Sequence, residues 1–351
     1  MPHSPRTLPA LLAGVLLLSL AACGGEQSTS TVPSSAAATK KITVYSGRSE
    51  ELVKPLLDKF TQASGITVDV RYAATAAMAA QLLEEGERSP ADVFFAQDAG
   101  ALGAVAKKGL FAPLPADVTS RVPETYRARS GEWVGVTARA RVLVYNPGKA
   151  PEQELPASVF ELTDPKWKGK VGLAPTNASF QAFVTALRVQ HGEDRAKEFL
   201  AGLQANEPQI RDGNGPILEE VDAGTITVGL INHYYLGELA KERGVTPDQL
   251  TAKLHFFPGG DTGALVNVAG VGLLKKAAAN ADAKAFVDYL LGAEAQAYFA
   301  EQTFEYPVVA GVTGPAGVPA LNELQAPDVD LNDLDELETT ITLIKDSGLV
   351  P

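Results

Sequence analysis

Two long apolar runs limit what this chain can fold into more than any other feature. WVGVTARARVLVYNP covers residues 133–147 and GALVNVAGVGLL covers 263–274. Both exceed the usual strand of about five or six residues. Each therefore reads as a strand long enough to leave one folded unit and enter another. Before the first run the pattern alternates. ITVYSG (42–47) is a strand with a glycine exit, and 49–65 is a helix with Leu52, Val53, Leu56, Leu57 and Phe60 at helical spacing and Gly65 as its stop. ITVDVRYA (66–73) is a second strand. Residues 75–87 are a helix with Met78, Leu82 and Leu83 facing inward, and ADVFFAQ (91–97) is a third strand. Between the two runs lie a strand at 170–175, helices at 178–192 and 196–204, and a strand at 225–232. Residues 283–302 read as one amphipathic helix and 331–349 as another. The expectation is an α/β protein of two lobes, each a mostly parallel central sheet flanked by helices. Two crossings would join lobe 41–138 plus 264–312 to lobe 139–263 plus 313–351. Such a pair closes on a cleft by hinge bending. Ligands in such sheets sit beyond the carboxyl ends of the strands. Here those ends are YSGRSEE, FFAQDAG, LAPTNASFQ and LINHYYLG.

The N-terminus reads as an export signal over residues 1–22. Arg6 supplies the charge, and the apolar run Leu8 to Leu20 is too short to span a bilayer comfortably. Leu20-Ala21-Ala22-Cys23 resembles the lipobox of bacterial lipoproteins, in which the cysteine carries the lipid. Cys23 is the sole cysteine of the chain, so no internal disulfide can form. Residues 23–40 then form a lipidated cysteine and a Ser/Thr/Ala/Gly-rich tether. The expected location is the cell envelope, with the body facing the periplasm or cell exterior and held to the membrane only through its lipid. A net charge of −12 argues against a nucleic-acid partner, which calls for a basic face.

Catalytic motifs are scarce. There is no G-x-S-x-G elbow, P-loop or zinc helix. His191 looks like a helix end and His255 like a structural residue. His233 is open between orienting a neighbouring phenol and lying at the surface. Asp328, Asp330 and Asn332 fit the start of a calcium loop, but Asp333 stands where the turn needs glycine and Thr339 where a glutamate is needed. Those acids fit a helix N-terminus instead.

The paired Tyr234 and Tyr235 follow the strand TITVGLIN. On a strand, neighbours point to opposite faces. At a strand-to-helix turn both can aim into one crevice. They are either packing residues or ligands. As ligands they suit a hard, highly charged cation such as Fe³⁺, which displaces phenolic protons and prefers anionic oxygen. A small anion would complete the shell, held by Arg48, by Arg139 and Arg141 on one face of the long strand, and by the helix start at Asn177, Ala178 and Ser179. Tyr145, Tyr289, Tyr298 and Tyr306 read as packing residues.

Taken in order, VYSGRSEELV, RSPADVFFAQDAGAL, TARARVLVYNP, APTNASF, LINHYYLG, GALVNVAGVG and EYPVVAGV resemble the ferric-ion-binding proteins of bacterial ABC iron importers. The resemblance covers nearly all of residues 41–312. It implies the type II periplasmic-binding-protein fold, Fe³⁺ as cargo in the interlobe cleft, no catalysis, a monomer, and delivery to ABC permease and ATPase subunits. In many relatives a histidine follows the first strand; Ser49 and Glu50 stand here. Some place a glutamate after the third strand, where this chain has Gln97. Others have a third tyrosine near the position of Phe180. The resemblance thus carries over the tyrosine pair, leaves Gln97 and Ser49 as possible additional metal or cleft contacts, and implies a site completed by carbonate or bicarbonate, phosphate, water or a chelator. The alternatives are an importer binding protein for a phosphonate, sulfate, phosphate or polyamine, and, from another class, a lipid-anchored hydrolase.

Overall fold

A computed structural model describes residues 40–350 of the chain. The signal segment, Cys23 and the tether up to residue 39 lie outside the described residues. The strands are β1 (Lys41–Ser46), β2 (Thr67–Tyr72), β3 (Val93–Ala96), β4 (Phe111–Ala112), β5 (Trp133–Tyr145), β6 (Val171–Leu173), β7 (Gln209–Ile210), β8 (Val228–Asn232), β9 (Lys253–His255), β10 (Val266–Leu274) and β11 (Tyr306–Pro307). The helices are α1 (Glu50–Ser64), α2 (Thr75–Glu85), α3 (Ala99–Lys107), α4 (Ala116–Thr119), α5 (Ala178–His191), α6 (Glu193–Ala205), α7 (Asn214–Asp222), α8 (Tyr234–Glu242), α9 (Ala281–Leu290), α10 (Ala293–Gln302) and α11 (Leu337–Asp346).

The strands run in the order β2-β1-β3-β10-β5-β8-β6-β7. β1 pairs in parallel with β2 and β3, as the strand–helix–strand pattern requires. β6 is likewise parallel to β7 and β8. The long β5 joins the two sets. Its first part, Trp133 to Ala140, pairs antiparallel with β10, and Arg141 to Tyr145 pair antiparallel with β8. Every residue of β5 is buried, which fits a strand covered on both faces. The second long run behaves differently. Among the described residues β10 pairs with β3, β4 and β5 and not with β8, and just before it Leu265 accepts from the Arg141 N–H at 2.8 Å. A short 3₁₀ turn at Thr262–Ala264, capped by Asp261, leads into β10.

α1 forms over its apolar stripe. Val53, Leu56, Leu57 and Phe60 are buried, and Gly65 ends the helix at a φ of 71°, a conformation that costs a side chain but not glycine. Three expectations need correction. Leu83 faces out, 37 % exposed, because Met78, Ala79 and Leu82 already fill the inner face of α2. Residues 283–302 are two helices rather than one: α9 ends at Leu290, and Gly292, at φ −75° and ψ 156°, is the extended N-cap of α10. Residues 331–349 hold a 3₁₀ turn at Leu331–Asp333 before α11 begins. Asp330 caps that turn by accepting the Asn332 N–H, and Arg129 pairs with Asp330 and Asp333. The acidic stretch thus serves a helical turn, as its spacing implied. α11 in turn ties to α5 through a 2.8 Å bond between Thr340 and Thr185. Among the described residues, no helix is long and apolar enough to cross a membrane.

Candidate functional site

Four strand ends meet at one cleft of about 760 Å³. The β1–α1 turn contributes Arg48 and Ser49, the β3–α3 turn Gln97, the β6–α5 turn Asn177, and the β8–α8 turn Tyr234 and Tyr235. Glu238 and Lys241 extend the lining along α8, and Tyr298, Gln302 and Thr303 close it from α10. This is the crevice at the carboxyl ends of strands that the sheet pattern predicts.

Tyr234 and Tyr235 are the first two residues of α8. Their rings stack with centroids 4.3 Å apart and planes 26° from parallel. The strand alternation has ended at Asn232, so the two phenols lie together on one wall instead of on opposite faces. Tyr298 also lines the cleft, but its hydroxyl is committed to the Leu52 carbonyl at 2.9 Å.

Burial raises the Tyr234 phenol well above its ordinary value, and Tyr235 and Glu238 add to the effect while Arg48 and Arg139 oppose it. Burial also raises Tyr235, with hydrogen bonding from Tyr234 and Asn214 offsetting part of the rise. Both phenols are therefore neutral on their own at physiological pH. Only a strong cation would make them ligands.

His233 holds this turn in place: burial excludes the surface role, and the ring packs edge-on against Tyr234 without hydrogen-bonding either phenol. Its ring is buried, accepts the Ala140 N–H at Nδ1 (3.1 Å), and so carries its proton on Nε2, which donates to the Phe304 carbonyl at 3.0 Å. Burial pulls its pKa down to about 4. The neutral ring stacks on Tyr306 at 4.5 Å and meets Tyr234 edge-on at 6.0 Å. It pins α8 to β5 and to the turn before β11. That turn fits closely. Phe304 adopts a φ of 56°, and its ring lies against Gly237, where an added Cβ would come within 2.3 Å.

The arginines fare unequally. Arg48 was expected to hold an anion, yet both its terminal nitrogens bind Glu305, at 2.9 and 2.7 Å, with both side chains essentially inaccessible. Thr137 and Thr303 also donate to that carboxylate, at 3.2 and 3.0 Å. Burial alone would raise the Glu305 pKa; Arg48 and Arg139 outweigh it and hold the carboxyl below its ordinary value. Arg139 lies 3.6 Å from Glu305, and its Nε and Nη1 are buried without a hydrogen-bond partner. Arg141 has no carboxylate partner among the described residues. It donates to the Ser179 hydroxyl at 3.1 Å and the Leu230 carbonyl at 3.0 Å, and lies over the rings of Phe180 and Phe183. Burial pulls its guanidinium down to about 9, so it stays charged at neutral pH. Arg139 and Arg141 sit buried behind the cleft, and their charges act on Tyr234 and Tyr235 respectively.

The α5 start is partly occupied by its own cap. Asn177 accepts the Ser179 N–H at 2.9 Å and the Ser179 hydroxyl at 2.8 Å. That hydroxyl also receives Arg141 and, at 3.1 Å, Asn214. Ser179 is thus saturated, and Asn177 is the residue of this turn that faces the cleft. Ala178 is half-buried beside it. Gln97 and Ser49 both face the cleft, while Phe180, in the first turn of α5, is fully buried.

Two carboxylates escaped the sequence reading. Glu305 follows the helix α10 as the first residue of EYPVVAGV, and nothing there marks it as the partner of a distant arginine. Glu238 was legible, since it lies three and four residues beyond the tyrosines on the same helical face. Burial, then Glu305, raise its pKa to about 8. Among the described residues, no cluster of three His, Cys, Asp or Glu side chains forms a metal site.

Comparison with known proteins places the chain among bacterial extracellular solute-binding proteins. Residues 88–335 match the family of bacterial extracellular solute-binding proteins. The chain is 34 % identical to an Fe(3+)-binding periplasmic protein of Serratia marcescens, over 90 % of this chain and 92 % of that one. Its structure resembles that of iron-bound HitA from Pseudomonas aeruginosa, with a TM-score of 0.83 and 34 % identity over 88 % of this chain and 99 % of that one. It also resembles a Trichodesmium protein solved with iron and citrate, with a TM-score of 0.73 and 29 % identity over 88 % of this chain and all of the other. A periplasmic-binding-protein fold, two strand sets joined by one shared strand, and a tyrosine pair at the meeting of four strand ends lead to one conclusion: the chain belongs to the ferric-iron-binding family of bacterial extracellular solute-binding proteins, which bind solutes and catalyse no reaction.

Proposed function

We propose that this protein captures Fe³⁺ in its cleft through the phenolates of Tyr234 and Tyr235 and delivers it to the permease and ATPase subunits of an ABC importer. The observation that carries the proposal is the stacked pair of cleft-facing phenols, with centroids 4.3 Å apart, set in front of buried guanidinium groups. Two neutral phenols in a desolvated wall do not favour a weakly charged cation. A trivalent one offsets both the desolvation and the loss of two protons. Similarity to proteins named or solved as iron binders supports the same cargo.

A synergistic anion, carbonate or phosphate, completes the shell in this reading. Arg139 and Arg141 supply its countercharge with the Asn177–Ala178–Ser179 turn beside them, and Arg48 contributes charge while staying bound to Glu305. Gln97 and Ser49 face the same space as further oxygen donors. The two lobes, 41–138 plus 264–312 and 139–263 plus 313–351, close on the cargo about β5. Cys23 holds the protein to the membrane by its lipid, and the body acts as a monomer outside the cytoplasm.

The buried positive charge also favours a second reading, a receptor for a bare oxyanion such as sulfate, phosphate or a phosphonate. The same charge argues against a polyamine. One experiment separates the two. Titrating the purified protein with ferric citrate in bicarbonate should give a red-orange phenolate-to-iron band that saturates at one iron per chain. The Tyr234→Phe, Tyr235→Phe double variant should lose it. If no band forms with iron under any of these anions while sulfate or phosphate binds the wild-type and double variant alike, the oxyanion reading replaces iron capture.

A further inference from the structure

Glu238 is the cleft-lining carboxylate that the fold, among the described residues, leaves with a buried and unpaired oxygen. It lies one helical turn beyond Tyr234 and Tyr235 on α8 and lines the same cleft. Its Oε1 is buried and has no hydrogen-bond partner among the described residues. Each nearby cation is committed elsewhere. Arg48 gives both terminal nitrogens to Glu305. Lys241, one turn further along α8, donates to the carbonyl and side chain of Gln302 at 3.2 and 2.9 Å. A buried carboxyl with no partner is costly, and such groups are ordinarily paired or bound to metal. The cargo site has the complementary deficit. Two phenolates cancel only two of the three charges of Fe³⁺, and a hard trivalent ion takes a third anionic oxygen readily.

From this we propose that Glu238 is a direct ligand of the cargo cation, supplying a carboxylate oxygen beside the phenolates of Tyr234 and Tyr235. The assignment rests on the phenolate reading above and adds a ligand to it. The two phenols and the carboxylate would come from consecutive turns of one helix, so α8 alone would carry three anionic donors. The anion, with Arg139 and Arg141 behind the cleft as its countercharge, would then fill the remaining positions.

The test compares the wild-type protein with Glu238→Gln and with Glu242→Gln. Glu242 lines the same cleft one turn further along but is exposed, so it controls for a change of charge alone. Glutamine keeps the shape of Glu238 and removes an unpaired buried carboxyl, so the metal-free Glu238→Gln protein should unfold no more easily than wild type. Iron affinity would be read by competition with citrate, and ligation by the position of the phenolate-to-iron band. Glu238→Gln should bind iron at least about tenfold more weakly, the lower end of what even outer-shell partners of a metal contribute. Its band should move to longer wavelength, because a metal that loses an anionic donor is a stronger acceptor of phenolate charge. Glu242→Gln should leave the band in place and lower the affinity by less than Glu238→Gln does. A band of unchanged position and affinity in Glu238→Gln, or equal losses in both variants, overturns the assignment while leaving the phenolate reading intact. Absence of any band in the wild-type protein overturns both.

Discussion

The two walls of the cleft handle buried arginine in opposite ways. On the side of β1 and β11, Arg48 and Arg139 surround Glu305, whose carboxylate accepts two bonds from Arg48 and one each from Thr137 and Thr303. On the side of β6 and β8, Arg141 is surrounded by neutral groups: one hydroxyl, one carbonyl and two phenylalanine rings. The first wall sets one carboxylate against two guanidiniums, so Arg48 is committed to Glu305 while Arg139 keeps part of its charge for a ligand. The second wall keeps a whole positive charge in a low-dielectric setting, where an incoming anion is strongly favoured. A buried guanidinium thus joins two wall segments in one place and prepares a binding surface in the other, depending on whether a carboxylate lies within reach.

The largest expected effect tests the first wall. Glu305→Ala strands Arg48 and Arg139 and should cost about 3–5 kcal/mol of stability, the usual result of removing one partner from a buried ion pair. Urea unfolding would measure it. If Arg141→Met destabilised the protein as much, the contrast between the walls would collapse. The same carboxylate sets a pH signature. Its folded pKa lies below the ordinary 4.5, so its contribution is fully present above that value and is lost as pH falls through the lower, folded one. Glu305→Gln should therefore flatten the loss of stability in acid, as measured by unfolding below about pH 5.

The second wall predicts an effect on binding. Arg141→Gln should weaken anion-assisted iron binding by about 1.5–3 kcal/mol, the range for hydrogen bonds to charged groups, with folding largely kept. Citrate competition at varied bicarbonate would measure this, and an anion dependence equal to wild type would break the assignment. Gly237→Ala comes next, since its methyl meets the Phe304 ring. It should cost about 1–3 kcal/mol by overpacking, seen as a lower unfolding midpoint. Asn177→Ala is the smallest, about 1 kcal/mol for a lost N-cap, and thermal unfolding would resolve it.

Much of the architecture was legible because periodicity is local. The β1-α1-β2-α2-β3 succession and the dual role of β5 follow from apolar spacing and run length. The convergence of Arg48, Gln97, Asn177 and the tyrosines follows from where strands end. What stayed hidden was long-range pairing. Arg48 and Glu305 are 257 residues apart, and nothing near either residue announces the other. For that reason Arg48 read as a free anion holder. His233 read as open between two roles because its actual partners, the Ala140 N–H and the Phe304 carbonyl, are backbone groups of distant segments. The break at Gly292 was missed because the apolar period runs through it.

Phe304 and Gly237 have a consequence for how such a chain can change. Phe304 occupies a left-handed backbone conformation that ordinarily favours glycine, at a cost on the order of 1–3 kcal/mol. Its ring fills the space that Gly237 leaves open. The two positions cannot vary independently. A larger residue at 237 is admissible only after 304 has shrunk, and a glycine at 304 would relieve the backbone while emptying the space. Mutational routes through this part of the protein are therefore ordered, with 304 changing first. Because 237 is on the helix that carries both tyrosines, the order constrains how the cleft itself can be remodelled.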